Sequence, residues 1–174
     1  TGFGIRYNSN EHNGTELNPI CYFNFPGEIP ILDCQEVKLT TIYNWGIIIN
    51  GGKYLHFKGL NIQNVTQAGK ATICVGLQTE MNYHVKFENI SVHHIGGVGF
   101  MTNYSIYSEI INCDAYNCVD SIGPSPGAWG SGFAGANEKF DNGYTYYYCC
   151  RAWNCSDQGF TTGGQRGTVV YDHC

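Results

Sequence analysis

Between Leu55 and Val65 apolar residues alternate with polar ones: Leu55 and Phe57 first and then, after an irregular step at Gly59, Leu60, Ile62 and Val65. The same order returns 30 residues later as Val85, Phe87, Ile90, Val92 and Ile95, with Asn89 at the irregular step. Period-two alternation puts alternate side chains on one face of a strand, and the break marks where one strand gives way to the next. The template fits again on Ser108, Ile110, Cys113, Ala115 and Cys118, on Thr145, Tyr147, Cys150, Ala152 and Cys155, and on Val169, Tyr171 and Cys174. Measured at Leu60, Ile90, Cys113, Cys150 and Cys174, the intervals are 30, 23, 37 and 24 residues. A strand repeat of this length with insertions in some copies predicts an all-β solenoid, in which successive coils pair in parallel and bury one continuous face. The predicted unit is one domain over residues 1–174, with N-terminal coils in 1–50, regular coils in 51–174 and an insertion near 119–131.

A second element keeps the same register, because each coil runs on into a glycine and an apolar residue: Gly76-Leu77, Gly99-Phe100, Gly132-Phe133 and Gly159-Phe160. Between the two elements Asn64, His94, Asn117 and Asn154 occupy equivalent bends. Asparagine tolerates the left-handed backbone of a sharp bend, and stacked amides hydrogen-bond from coil to coil; such a ladder resembles a known feature of parallel β-helices. The register also accounts for five of the nine cysteines. Cys113, Cys150 and Cys174 fill the inward slot of Leu60 and Ile90, and Cys118 and Cys155 that of Val65 and Ile95, so they read as stacked small hydrophobes rather than as metal ligands.

Composition narrows the function classes. Only 13% of residues are charged and the formal net charge is −5, with no basic stripe to neutralise phosphates, so nucleic acid is not an expected partner. No apolar run approaches the length of a membrane span.

Several stretches then resemble a known family. Gly14-Thr15-Glu16-Leu17-Asn18-Pro19-Ile20 with Phe25-Pro26-Gly27 resembles the first coils of secreted right-handed β-helix proteins. Cys113-Asp114-Ala115-Tyr116-Asn117, Gly130-Ser131-Gly132-Phe133-Ala134 and the run Cys150–Phe160 together resemble family 9 of the polysaccharide lyases, which holds pectate and rhamnogalacturonan lyases. The resemblance implies a right-handed parallel β-helix of the pectate-lyase-like superfamily acting on acidic (pectic) polysaccharide outside the cytoplasm: in the extracellular space, at the cell surface or in the periplasm. It also implies β-elimination, in which a base removes the proton next to a uronate carboxylate while calcium stabilises the charge that develops there. Asp157 keeps one carboxylate of the family's calcium cluster, whereas Ser131, Gln158 and Thr161 stand where the pattern puts the others. The expected lysine base falls beyond Cys174, and the chain reads as part of a longer β-helix; no catalytic residue is assigned.

The candidate site is therefore Asp157 as a metal ligand, with Ser131, Gln158 and Thr161 as polar substrate contacts. Lys139, Arg151 and Arg166 are the cations nearest to these positions in the chain that suit uronate carboxylates. Tyr144, Tyr146 and Tyr148 face outward around an inward Tyr147, and Trp153 lies at the bend of the same coil, so one coil either offers sugar-stacking aromatics or has them covered by the long insertion between Val119 and Trp129. The neutral residues around Asp157 also fit an alternative, a non-catalytic carbohydrate-binding or adhesive β-helix with a degenerate metal site.

Overall fold

The structure, a computed structural model, describes residues 3–8, 13–36, 42–70, 72–136, 143–163 and 167–174. Its first coil contributes β1 (Phe3–Asn8), β2 (Ile20–Phe23) and β3 (Ile31–Asp33), and its second β4 (Tyr43–Asn50), β5 (Lys53–Lys58) and β6 (Asn61–Gln63). The third has β7 (Ile73–Glu80), β8 (Tyr83–Glu88) and β9 (Ser91–Ile95); the fourth β10 (Val98–Asn103), β11 (Ile106–Ile111) and β12 (Asp114–Cys118). β13 (Phe133–Ala136), β14 (Tyr144–Tyr148) and β15 (Arg151–Trp153) form the fifth, and β16 (Phe160–Thr161) and β17 (Thr168–Asp172) follow. Every third strand joins the same sheet: β1-β4-β7-β10-β13-β16, β2-β5-β8-β11-β14-β17 and β3-β6-β9-β12-β15. All pairings are parallel, giving a right-handed parallel β-helix.

The register read from the alternation is the one observed. Leu55, Val85, Ser108, Thr145 and Val169 align across the second sheet, as do Phe57, Phe87, Ile110, Tyr147 and Tyr171. In the third sheet Ile62, Val92, Ala115 and Ala152 align. In the first, Leu77, Phe100, Phe133 and Phe160 align, and the series extends back to Ile47 and Ile5. The three phenylalanine rings stack with centroids 4.8 and 4.9 Å apart. Cys113, Cys118 and Cys150 are fully buried in this core, and all nine cysteines are free thiols.

The corners need left-handed backbone. Asn64, His94, Asn117 and Asn154 have φ of 62°, 53°, 53° and 52°, and Gly59, Asn89 and Asn112 turn the preceding corner with φ of 72°, 53° and 49°. Short polar side chains suit such a column because each bonds its neighbour on the adjacent coil. Asn154 Nδ2 donates to Asn117 Oδ1, Asn117 Nδ2 meets His94 Nε2 at 3.1 Å, and Asn112 Nδ2 donates to Asn89 Oδ1 at 2.7 Å.

Two carboxylates and two histidines tie the stability of the fold to the acid side of the pH range. A hydrogen bond from Lys58 holds the Glu88 carboxyl below its ordinary value, and one from Asn64 does the same for Asp33. Burial, reinforced by Lys86, lowers His56 despite the neighbouring Glu88, and burial lowers His93. A group whose pKa is depressed on folding contributes stability that is complete above its unfolded value and lost as pH falls through the folded one. The Tm should therefore fall in two stages on acidification, first below about pH 6.5 through the histidines and again below about pH 4.5 through the carboxylates. Thermal melts from about pH 8 to about pH 3 check this. Glu88→Gln should shrink the second stage, and a Tm that rises between about pH 7 and pH 5 contradicts the assignment.

Candidate functional site

The insertion after β12 carries no strand among its described residues, yet it is tied down. Asp120 Oδ1 accepts from Gly123 N at 2.9 Å and from Gln67 Nε2 at 2.6 Å, while Ser156 Oγ accepts from Asp120 N and donates to Gly127 O. These bonds hold the insertion against the outer face of the first sheet, where Trp45, Ile48, Val75 and Val98 form an apolar cluster separate from the core. Trp129, at the end of the insertion, stands 55% exposed above that face.

Beside Trp129 lies a groove of about 330 Å³ whose walls include Val98, Met101, Trp129, Ser131, Asp157 and Thr161. The β-helix brings the last three together because each flanks the Gly-Phe step of its coil. Ser131 precedes Gly132-Phe133, Asp157 precedes Gly159-Phe160 by two residues, and Thr161 follows Phe160 and pairs with Ala134. Ser131 is buried and its Oγ donates to Asp157 Oδ2 at 3.3 Å, so the exposed carboxylate is held at the groove wall. An indole face, two hydroxyls and one carboxylate suit a sugar ring, whose C–H face stacks on aromatics and whose hydroxyls bond neutral oxygens.

The other predicted contacts fall elsewhere. Gln158 gives its backbone carbonyl to Gly132 N at 2.9 Å; its side chain is exposed and does not line the groove. Arg151 is on β15 in the third sheet, where its guanidinium makes two bonds of 2.7 Å to Asp114, so the structure does not bring it to the groove. Lys139 and Arg166 lie outside the described residues. The outward tyrosines of β14 belong to the second sheet, and the insertion packs on the first sheet instead of over them. Tyr146 is committed to Asp172 at 2.8 Å, and Trp153 stacks on Tyr116 with centroids 4.4 Å apart, spending one of its faces.

The donor set does not fit a calcium ion held by the protein alone. Calcium takes about six to eight oxygens and its affinity follows the number of charged ones, whereas among the described residues the groove offers one carboxylate, already engaged by Ser131. Among the described residues no three His, Cys, Asp or Glu side chains converge.

Sequence reasoning did not single out Trp129 or Asp120. The first had a signal, lying directly before Gly130-Ser131-Gly132; the second had none, because the insertion has no counterpart in the other coils.

Fold and groove together define a polysaccharide-lyase-like β-helix with an open cleft across one sheet. More narrowly, the chain belongs to the family described as "Pel9A-like, right handed beta helix region", whose model matches residues 4–174. It is 36% identical over 152 residues to pectate lyase L of Dickeya dadantii and, to the same extent, to pectate lyase L of Dickeya chrysanthemi. The match covers 87% of this chain and 30% of each relative, so the chain spans less than a third of their length. Among solved structures it resembles a rhamnogalacturonan lyase with a TM-score of 0.81 and 25% identity, over 99% of this chain and 42% of that one. It also resembles the pectate lyase Pel9A, with a TM-score of 0.66 and 21% identity over 100% of this chain and 44% of that one.

Proposed function

We propose that the groove beside Trp129 binds acidic, pectic polysaccharide, in a protein of the lyase type working outside the cytoplasm. The observation that carries this reading is the convergence of Ser131, Asp157 and Thr161, from successive coils, beside an exposed indole in one open cleft. An open groove along a solenoid accepts a polymer of any length, since the chain enters and leaves without threading. A polymer of that size does not cross a membrane, which is the physical reason for placing the protein where the polymer is. The relatives' names, pectate lyase and rhamnogalacturonan lyase, support elimination as the reaction class of this reading.

Sugar contacts here run through hydroxyls and stacking, with Asp157 as the groove's only carboxylate among the described residues. That composition supports the second reading, a carbohydrate-binding β-helix that recognises the polymer without cleaving it. One experiment separates them: the full-length protein with polygalacturonate and with rhamnogalacturonan, followed for unsaturated-product absorbance and for binding by calorimetry, with calcium and with chelator. Binding is expected, and Trp129→Ala should weaken it about tenfold by removing the stacking face. Product formation in addition selects the lyase reading; binding without product selects the other. Loss of neither signal in Trp129→Ala, or no binding to either polymer, rejects the groove as the site.

A further inference from the structure

Beneath the Gly-Phe steps of the first sheet two thiols face each other across adjacent coils. Cys118 ends β12, and the register that pairs Ala115 with Ala152 and Tyr116 with Trp153 places it level with Cys155. Ser156 N, directly after Cys155, donates to Cys118 O at 2.9 Å and keeps that register. Both side chains point inward under the glycine column: a Cβ at Gly99 would lie 3.0 Å from Cys118 Sγ, and one at Gly132 would lie 3.3 Å from Cys155 Sγ. The sulfurs are close enough to hydrogen-bond. A thiolate at Cys155 receives a bond from the Cys118 thiol, which holds Cys155 below its ordinary value and raises Cys118, and burial raises Cys118 further. The two also differ in access, since Cys118 is 0% exposed and Cys155 is partly exposed. The other column of thiols lacks this combination. Cys113 and Cys150 are both fully buried, and partial desolvation holds the exposed Cys174 thiol above its ordinary value. A reachable thiolate beside a shielded thiol is the arrangement of an attacking and a resolving cysteine.

We infer that Cys118 and Cys155 form a reversible disulfide-exchange site, in which Cys155 takes up a small disulfide such as glutathione disulfide and Cys118 resolves it into a bond between the coils. In the first step the Cys155 thiolate attacks one sulfur of glutathione disulfide, giving a mixed disulfide and releasing one glutathione, which takes up the proton Cys155 gave to solvent. In the second the Cys118 sulfur attacks Cys155 Sγ, the bond to the remaining glutathione breaks, and that leaving thiolate takes up the proton of Cys118. Two protein thiols are oxidised and one small disulfide is reduced to two thiols. Neighbouring strands lie about 4.8 Å apart, inside the roughly 4.4–6.8 Å between Cα atoms that a disulfide spans. The Cβ atoms must close to about 3.8 Å, and Cys155, past the end of β15, is the partner outside strand pairing. A bond made against that resistance is readily reduced, which keeps the site reversible. It does not depend on what the groove binds.

The test exposes the folded full-length protein to millimolar glutathione disulfide at about pH 8, alkylates the remaining thiols at intervals and maps them by peptide mass spectrometry. Cys155 should lose its free thiol at least about tenfold faster than Cys113 or Cys150. The product should be a peptide pair joined through Cys118 and Cys155, which dithiothreitol releases. Cys118→Ala should stop the reaction at the mixed disulfide, leaving glutathione on Cys155, and Cys155→Ala should leave Cys118 unmodified. A role in packing alone moves neither readout. The exposed Cys21 and Cys174 report general access of the reagent. A wild-type protein in which those two react while Cys155 stays free, or in which Cys155 keeps its glutathione without passing the bond to Cys118, overturns the site. The wild-type map decides even where a variant does not fold.

Discussion

Phe133→Ala is expected to lower the unfolding free energy by about 3–5 kcal/mol, the range for deleting a fully buried phenylalanine ring. Phe133 is 0% exposed and stands at the centre of an aromatic cluster. Its ring lies between Phe100 at 4.8 Å and Phe160 at 4.9 Å and receives the edge of Tyr147 at 5.7 Å. Truncation removes stacking on both neighbouring coils at once, and the rigid strands of the first sheet cannot close the gap, so the cavity persists. A domain holds only about 5–15 kcal/mol in total, and in a solenoid each coil is held by its neighbours, so the loss should separate the coils around residue 133 before the rest. Denaturant midpoints measure the magnitude, and hydrogen exchange shows whether protection is lost first in β10, β13 and β16. A change below about 1 kcal/mol would mean that the stack is not a cohesive unit. Phe133→Leu, which refills most of the volume, should cost about half as much or less.

From the second coil onward the core of the second and third sheets was legible because one face of each strand is buried and the other is wet, which imprints period two on the sequence. That contrast fails in β4. Its segment Tyr43-Asn44-Trp45-Gly46-Ile47-Ile48-Ile49-Asn50 buries Ile47 and Ile49 inward and Trp45 and Ile48 outward under neighbouring structure, so apolar residues run without alternation. The Gly-apolar step is nevertheless there, as Gly46-Ile47, in the same register as Gly76-Leu77.

The site was legible where it is tied to the repeat and illegible where it is not. Ser131, Asp157 and Thr161 sit at fixed offsets from Gly-Phe steps, so the register alone brings them to one side of the first sheet. The same logic, carried across coils, also accounts for Arg151: it occupies the slot of Asp114 one coil later, and side chains in one slot stack and pair. Trp129 and Asp120 belong to the insertion, whose path depends on Gln67 and Ser156, 53 and 36 residues from Asp120 in sequence. No local pattern encodes contacts of that range.

Gly99→Val should cost about 3 kcal/mol or more, at the upper end of what overpacking does, because the group it hits is backbone. A Cβ at Gly99 would lie 2.6 Å from the carbonyl oxygen of Gly132, 3.0 Å from Cys118 Sγ and 3.1 Å from Ala115 Cβ. The same relation recurs down the helix: a Cβ at Gly46 would meet Gly76 O at 2.6 Å, one at Gly76 would meet Gly99 O at 2.9 Å, and one at Gly132 would meet Gly159 O at 2.7 Å. None of these four glycines has a positive φ, so the column exists for close approach, to the carbonyl of the next coil and to the third sheet, and not for backbone freedom. Two causes of the loss are separable. If the clash with the third sheet dominated, Ala115→Gly would relieve it; if the carbonyl of the next coil dominates, relief is small, and the second outcome is expected because Gly132 O is part of the sheet, bonded to Phe100 N at 2.9 Å. The strain also reaches the groove, since Gly99 N donates to Ser131 O at 2.9 Å and any shift of that strand moves Ser131 away from Asp157. Gly99→Ala, the milder variant, should therefore weaken polysaccharide binding while still folded. Binding unchanged in a folded Gly99→Ala protein would show that the groove does not depend on how closely these coils approach.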